Sequence, residues 1–370
     1  MKKILFLIHD LGHGGAEKVL VNLVNHMDPV RFDITVTVLF GGGVNEQFLA
    51  PHIHFKKVFP RSIPGNSHLM KLLTPRQLHR MCVKERYDIE VSYLEGPSAR
   101  IISGCEDETT KLVSWIHCTM QSAGDVAASF RSMSEAMRCY RRYDQIVFVS
   151  RDVKDAFEKH SQLSGRGQVL YNTNESDRIL EKAQEYAEEG LFKQGIFTWC
   201  STGRLIPVKR FDRMINIQKR LIQEGYPVQL LILGEGELKA ELQQQVKNCG
   251  VGESVRFLGY QKNPYKYVSR CDLLVCASMS EGFSTAATEA LIVGTPVCTV
   301  DVSGMKEMLG ENDEYGVVTE NSEEALYQGI KRLLDDPVLL AHYRQKAQER
   351  GKMFSTENTV LAAEAMLTKI

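Results

Sequence analysis

The sequence contains no C-x-x-C pair, no internal repeat, no low-complexity tract and no Pro-rich linker, and its cysteines (82, 105, 118, 139, 200, 249, 271, 276 and 298) are odd in number. Zinc sites and disulfide frameworks use paired cysteines at short, regular spacing, so this pattern argues for reduced, mostly buried thiols and a cytoplasmic setting. The opening apolar run, Ile4-Leu5-Phe6-Leu7-Ile8 behind Lys2-Lys3, stops at His9-Asp10. A signal peptide needs about seven to fifteen apolar residues and a membrane span about twenty. The run therefore reads as a first buried strand. Net charge is only −1, slightly positive over residues 1–172 and negative over the rest. So weak a field argues against a nucleic-acid partner.

What is present is a chain of 370 residues, 43% hydrophobic and 25% charged, too long for one ordinary core and suited to two domains of roughly 150 residues or more. Short aliphatic runs alternate with helical stretches: Ile4–Ile8, Glu17–Met27, Ile34–Phe40, Ile89–Tyr93, Leu112–Ile116 and Ile146–Val149. After a charged insert around Asp177–Glu189 the pattern restarts, with strands expected at Ile196–Thr202, Gln229–Leu233, Val255–Phe257, Leu273–Cys276 and Pro296–Val300. Helices are expected over Arg210–Glu224, Glu237–Cys249, Thr285–Ile292 and Glu323–Leu334. Continuous apolar strands between amphipathic segments indicate parallel sheets covered on both faces. The expected architecture is α/β, with two Rossmann-like doubly wound domains, 1–173 and 174–353, facing a central cleft. A capped helix in 354–370 would return to complete the first domain. Ligands in such sheets bind beyond the carboxyl ends of the strands, which directs attention to the βα loops.

The first such loop, His9-Asp10-Leu11-Gly12-His13-Gly14-Gly15-Ala16-Glu17, carries paired glycines before a helix, where a phosphate or polar group can approach free N–H groups. A tight turn would explain them equally well, and the loop is not a G-x-G-x-x-G fingerprint. His9 and His13 show no carboxylate pattern of a metal site. Beyond Ile196–Thr202, Arg204 and Lys209 lie five residues apart on a loop entering a helix; a planar guanidinium and a compact ammonium suit a diphosphate. The stretch Ser280-Glu281-Gly282-Phe283-Ser284-Thr285-Ala286-Ala287-Thr288-Glu289 places Glu281 before a helix and Glu289 within it. That helix is too apolar for the surface, and a carboxylate on a buried helix needs a partner. His117 ends the strand Leu112–Ile116; it either faces a ligand or caps a neighbouring loop.

Glu281-Gly282-Phe283 with Glu289, Gly203-Arg204-Leu205 with Lys209, Gly14-Gly15-Ala16-Glu17, His117, Leu233-Gly234-Glu235-Gly236-Glu237 and Phe257-Leu258-Gly259-Tyr260-Gln261-Lys262-Asn263-Pro264 together resemble the retaining glycosyltransferases of family 4. The match runs through both halves in order. The resemblance implies a GT-B fold with an acceptor-side first domain and a donor-binding second domain, a nucleotide diphosphate sugar as donor, no obligatory metal or other cofactor, and retention at the anomeric carbon. By position, it implies that Arg204 and Lys209 neutralise the diphosphate, Glu289 binds the ribose, and Gly259, Tyr260 and Gln261 meet the base. Gly234 and Gly236 belong to the same donor site, while Glu281, Gly282, Phe283, Ser284 and Thr285 line the sugar and distal phosphate. His117, beside Gly14 and Gly15, faces the sugar. Glu281 is expected to orient the sugar rather than attack it, although a covalent double displacement stays open. The chain departs from the family at Tyr171-Asn172-Thr173-Asn174-Glu175, where a glycine or proline usually follows asparagine.

UDP-sugars are the expected donors, with GDP-mannose the alternative, and a glycan or lipid-linked hydroxyl the expected acceptor. Arg131, Arg138, Arg141 and Arg142, interleaved with Phe130, Met133, Met137 and Tyr140 and joined by Lys56, Lys57 and Arg61, form a basic amphipathic segment. It suits either peripheral contact with an anionic inner membrane or a surface helix packed on its own sheet. A GT-B epimerase and a non-catalytic nucleotide-sugar binder are the rival functions.

Overall fold

A computed structural model of the chain describes residues 1–12, 14–61, 70–188 and 190–370; His13 and Glu189, the latter closing the expected charged insert, lie outside them. The chain divides into two compact units, Met1–Asn174 with Thr356–Ile370, and Glu175–Ser355.

The first unit is built on a seven-stranded sheet ordered β3-β2-β1-β4-β5-β6-β7. Its strands are β1 (Lys2–Ile8), β2 (Phe32–Phe40), β3 (His54–Phe59), β4 (Ile89–Tyr93), β5 (Lys111–Ile116), β6 (Gln145–Phe148) and β7 (Gly167–Val169). Every neighbouring pair is parallel, with Ile4 opposite Ile34 on one side and Ile89 on the other. The inner strands are buried along most of their length because helices cover both faces, and the polar residues they carry, such as Thr35, Glu90, Ser92 and Ser114, are buried with them. Strand order reverses between β1 and β4, so the carboxyl ends of these two strands mark the ligand-binding end of the sheet.

The helix Thr356–Lys369 belongs to this unit for a specific reason. Buried Glu364 accepts the Asp28 N–H at 2.7 Å and the Arg31 guanidinium at 2.6 Å, while Lys2 Nζ donates to Leu367 O. Thr356 Oγ1 donates to Asn174 O, and Asn22 Nδ2 to Thr173 O. Asn172, Thr173 and Asn174, at the departure from the family pattern, are thus buried polar residues gripped within the first unit.

The second unit repeats the winding with six parallel strands in the order β10-β9-β8-β11-β12-β13. They are β8 (Phe197–Thr202), β9 (Val228–Leu233), β10 (Val255–Gly259), β11 (Leu273–Cys276), β12 (Val297–Val300) and β13 (Val317–Thr319). Here the order reverses between β8 and β11. The core gathers Trp199, Ile215, Leu230, Ile232, Val275 and Ile330. Trp199 Nε1 donates to Gln218 Oε1 at 2.8 Å, and the Gln218 amide donates to Val228 O, so both buried polar groups are satisfied.

Strands β3, β7 and β13 were not expected from sequence. β3 reads His-Phe-Lys-Lys-Val-Phe on a sheet edge, and the other two are three-residue edge strands. An edge strand need not be a continuous apolar run. The expected helix Thr285–Ile292 has those bounds in the structure, whereas the expected Arg210–Glu224 runs Phe211–Gln223.

Candidate functional site

β8 leads into Gly203-Arg204-Leu205, then a 3-10 turn at Pro207–Lys209, then the helix Phe211–Gln223. Arg210 joins the two in the left-handed region, φ 52°, with its guanidinium fixed on both oxygens of Asp212. Arg210 is therefore occupied, and the cations left at the loop are Arg204 and Lys209. Arg204 is exposed, and its side chain has no hydrogen bond or ion pair among the described residues.

Lys209 Nζ lies 2.5 Å from Glu281 Oε1, and Ser278 Oγ donates to the same oxygen at 2.7 Å. The two loops that meet here follow β8 and β11, the strands flanking the reversal of the second sheet. Lys209, Glu281, Ser278 and Ser284 line a small pocket at this point with Thr202 and Cys276. Ser284 is the N-cap of Thr285–Ile292, its hydroxyl accepting the Ala287 N–H. The remaining free N–H groups of the first turn favour an anion there. One helical turn later Tyr265 donates its hydroxyl to Glu289 Oε1 at 3.1 Å. Sequence reasoning missed both Ser278 and Tyr265. Ser278 is signalled only by standing three residues before Glu281, and Tyr265 is brought to Glu289 by tertiary packing alone.

The glycines of the β9 loop pack against the Arg204 loop. A Cβ on Gly234, whose φ is 147°, would stand 1.9 Å from Gly203 O, and one on Gly236 would stand 2.4 Å from Leu205 O. Gly203 N–H donates to Leu233 O, Leu205 N–H to Glu235 O, Leu238 N–H to Leu205 O and Gly234 N–H to Gly259 O. Gly234 and Gly236 thus lock the Arg204 loop by close backbone approach. Phe283 is buried, edge-on to Phe354 at 5.6 Å between ring centroids, and so packs the Glu281 loop onto its own unit. Gly282 precedes Phe283 in this loop, and Thr285 opens the helix after Ser284. Gly259 ends β10, Tyr260 beyond it is exposed, and Gln261 donates its amide to Leu258 O.

In the first unit, Gly14 is the N-cap of the helix Gly15–His26. His9 Nδ1 pairs with Asp10 Oδ2 at 2.8 Å, and Asp10 also accepts the Gly12 N–H. The expectation about His13 lies outside the described residues. His117 follows β5, buried against the Tyr93 ring at 4.8 Å between centroids. Its backbone N–H donates to Glu95 Oε2 at 2.9 Å, and its Nε2 has no hydrogen-bond partner. Burial pushes the imidazole down to about 3, so it is neutral at physiological pH.

The basic segment behaves largely as a packed helix. Phe130 and Tyr140 are buried, Arg142 donates to the Ser103 and Cys105 carbonyls, and Arg131 donates to the Lys71 and Leu72 carbonyls. Lys56 and Lys57 pair with Glu85 and Glu46. All four arginines of the segment are exposed, and among the described residues Arg138 reaches only Ser134 of its own helix. Potential metal ligands meet at His79, Glu90 and Cys105, where His79 Nε2 lies 2.7 Å from Glu90 Oε2. Among the described residues no helix is long and apolar enough to cross a membrane. Seven of the cysteines are buried, with Cys118 exposed and Cys249 half-buried.

Two sheets of the same doubly wound order, the second with cations and a carboxylate at its reversal, define an α/β architecture of the GT-B class. Solved structures share it along the whole chain. The Anabaena protein HepE in complex with UDP matches with TM-score 0.78 at 19% identity over 100% of both chains. A glycosyltransferase from Rickettsia africae matches with TM-score 0.80 at 14% identity, over 100% of this chain and 98% of that one. The model of Glycosyltransferase Family 4 matches residues 13–178, and that of Glycosyl transferases group 1 matches residues 183–351. The Campylobacter jejuni N-acetylgalactosamine-N,N'-diacetylbacillosaminyl-diphospho-undecaprenol 4-alpha-N-acetylgalactosaminyltransferase is 30% identical over 96% of each chain. The chain belongs to these glycosyltransferases, and it is an enzyme that transfers sugar from a nucleotide sugar.

Proposed function

We propose that the enzyme transfers a hexose or N-acetylhexosamine from a UDP-sugar, with retention and without a metal, to a hydroxyl of a lipid-linked glycan at the cytoplasmic face of a membrane. The observation that carries this reading is the reversal of the second sheet, where unpaired Arg204 stands on the loop that presents Lys209 to Glu281 and Ser278. Charge grows on the diphosphate as the glycosidic bond breaks, and fixed cations with a helix N-terminus stabilise it in the way a divalent metal would. Glu281, with one oxygen held by both Lys209 and Ser278, is better placed to orient sugar hydroxyls than to act as a nucleophile. Glu289, steadied by Tyr265, would take the ribose hydroxyls through charge-assisted bonds. His117, being neutral, would offer a hydrogen bond rather than a charge to the sugar.

UDP is favoured as the nucleotide because the HepE structures hold UDP and UDP-glucose. A lipid-linked acceptor is favoured because the Campylobacter relative, alike over 96% of its length, acts on a diphospho-undecaprenol substrate. Exposed Arg138 and Arg141 would contribute on the order of 1 kcal/mol each to contact with anionic lipid; partitioning onto anionic vesicles that is unchanged after both become alanine rejects that contact. The direct test of the donor site is calorimetric titration of UDP and of GDP, without divalent metal, into wild type and Arg204→Ala. UDP should bind the wild type and weaken about tenfold or more in the variant, since charge-assisted bonds to phosphate are worth roughly 1.5–3 kcal/mol. Preference for GDP would redirect the reading to a mannosyl donor.

A further inference from the structure

Glu95 stands at the carboxyl end of β4, beside the reversal of the first sheet where a doubly wound fold presents its ligands. It is half-buried, and no lysine or arginine pairs with it among the described residues. One oxygen, Oε2, accepts the His117 N–H at 2.9 Å. The Cys118 thiol is pushed up by desolvation at its sulfur, by the Glu95 charge and by a hydrogen bond to Glu95, and the buried Tyr140 hydroxyl, which has no hydrogen-bond partner, is pushed up by burial and by the Glu95 charge. Beside it, the His117 ring carries an Nε2 that is also without a partner and is more than nine-tenths buried.

A half-buried carboxylate whose protein donors are one main-chain N–H and a weakly donating thiol keeps lone pairs open to stronger donors. The fully buried glutamates of the first unit have charged donors: Glu135 has Arg100, Glu364 has Arg31, and Glu90 has His79. Glu95 does not. The donors that fit a carboxylate in a sugar-transferring enzyme are vicinal hydroxyls, which bind through short charge-assisted bonds.

We propose that the Glu95 carboxylate is the hydroxyl-binding anchor for a sugar of the acceptor, a reading that rests on the transferase function and on the first unit being the acceptor side. Glu95→Gln separates this role from a structural one. The amide oxygen still accepts the His117 N–H, whereas the charge and half of the acceptor capacity for hydroxyls are lost.

The test titrates methyl α-glycosides of N-acetylgalactosamine, galactose and glucose into wild type, Glu95→Gln and Glu95→Ala by saturation-transfer NMR, with UDP titrated in parallel by calorimetry. The expected result is saturable binding of at least one glycoside to wild type and a weakening of about tenfold or more in Glu95→Gln. UDP affinity should stay within about twofold, because the nucleotide site lies in the second unit. Equal glycoside binding by wild type and Glu95→Gln, no saturable binding by wild type, or parallel loss of UDP and glycoside in Glu95→Gln would each overturn the assignment. Failure of UDP to bind wild type would strike the donor reading instead and leave the glycoside comparison intact.

Discussion

The first sheet winds β3-β2-β1-β4-β5-β6-β7 and the second β10-β9-β8-β11-β12-β13, so each reverses at its earliest strand. At the carboxyl ends the chemistry diverges. The first unit presents Asp10, Glu95 and a neutral His117; the second presents Arg204 and Lys209 around Glu281. Shared topology fixes where a ligand is met, and side chains decide which ligand. An uncharged or acidic edge suits sugar hydroxyls, and a cationic one suits a diphosphate. The cores differ as well: Arg100 and Glu135 form a buried ion pair in the first unit, whereas Trp199 and Gln218 form a neutral pair in the second.

The sharpest way to break this contrast is at the buried charges. Arg100 also donates to the Met70 and Leu73 carbonyls, so Arg100→Met should destabilise the protein by about 3–5 kcal/mol by stranding Glu135, read as a drop in denaturant midpoint. Lys209→Met should lower kcat by about a hundredfold to a thousandfold, equivalent to about 2.7–4 kcal/mol of lost electrostatic stabilisation. If kcat holds while only donor affinity falls, Lys209 binds the ground state and the cationic edge has no special hold on the transition state. In the neutral core, Gln218→Leu should cost about 1–3 kcal/mol by leaving Trp199 Nε1 unpaired; a loss as large as that of Arg100→Met would erase the distinction between the cores.

Two histidines of the first unit, His117 and His79, give a pH signature with opposite limbs. For His117 the folded value, about 3, lies below the unfolded value near 6.5. As pH falls below about 6.5 the unfolded chain takes up a proton that the folded chain refuses, and stability declines by up to about 1.4 kcal/mol per pH unit until about pH 3. Burial opposes charging at His79, yet its hydrogen bonds to Cys105 and Glu90 and the Glu90 charge raise it to about 9. Its contribution is complete below about pH 6.5 and is lost as pH rises towards 9. Denaturation across this range should show both limbs, with His117→Gln flattening the acid one and His79→Gln the alkaline one. The smallest effect belongs to Ser278→Ala, which removes one donor from Glu281 and should cost about 0.5–1.5 kcal/mol in kcat/KM.

The sequence by itself determined the doubly wound α/β class and most inner strands, because continuous apolar runs such as Ile4–Ile8 and Leu273–Cys276 can be satisfied only between two helical layers. It also placed Arg204, Lys209 and Glu281 in loops that follow strands, since strand ends and loop starts are local features. It could not supply β3, β7 and β13, whose edge positions need no hydrophobic signature, or the helix Pro337–Gly351. That helix is signalled only by Asp336-Pro337, where Asp336 caps the Val338 and Leu339 N–H groups. Only the tertiary structure decided that Gly234 and Gly236 press on the Arg204 loop, that Phe283 faces Phe354, that Tyr265 holds Glu289, and that Glu95 reaches the His117 backbone without a cation of its own. Each of these pairs residues distant in the chain, and their meeting depends on how sheets and loops pack, which no local pattern of polarity or spacing encodes.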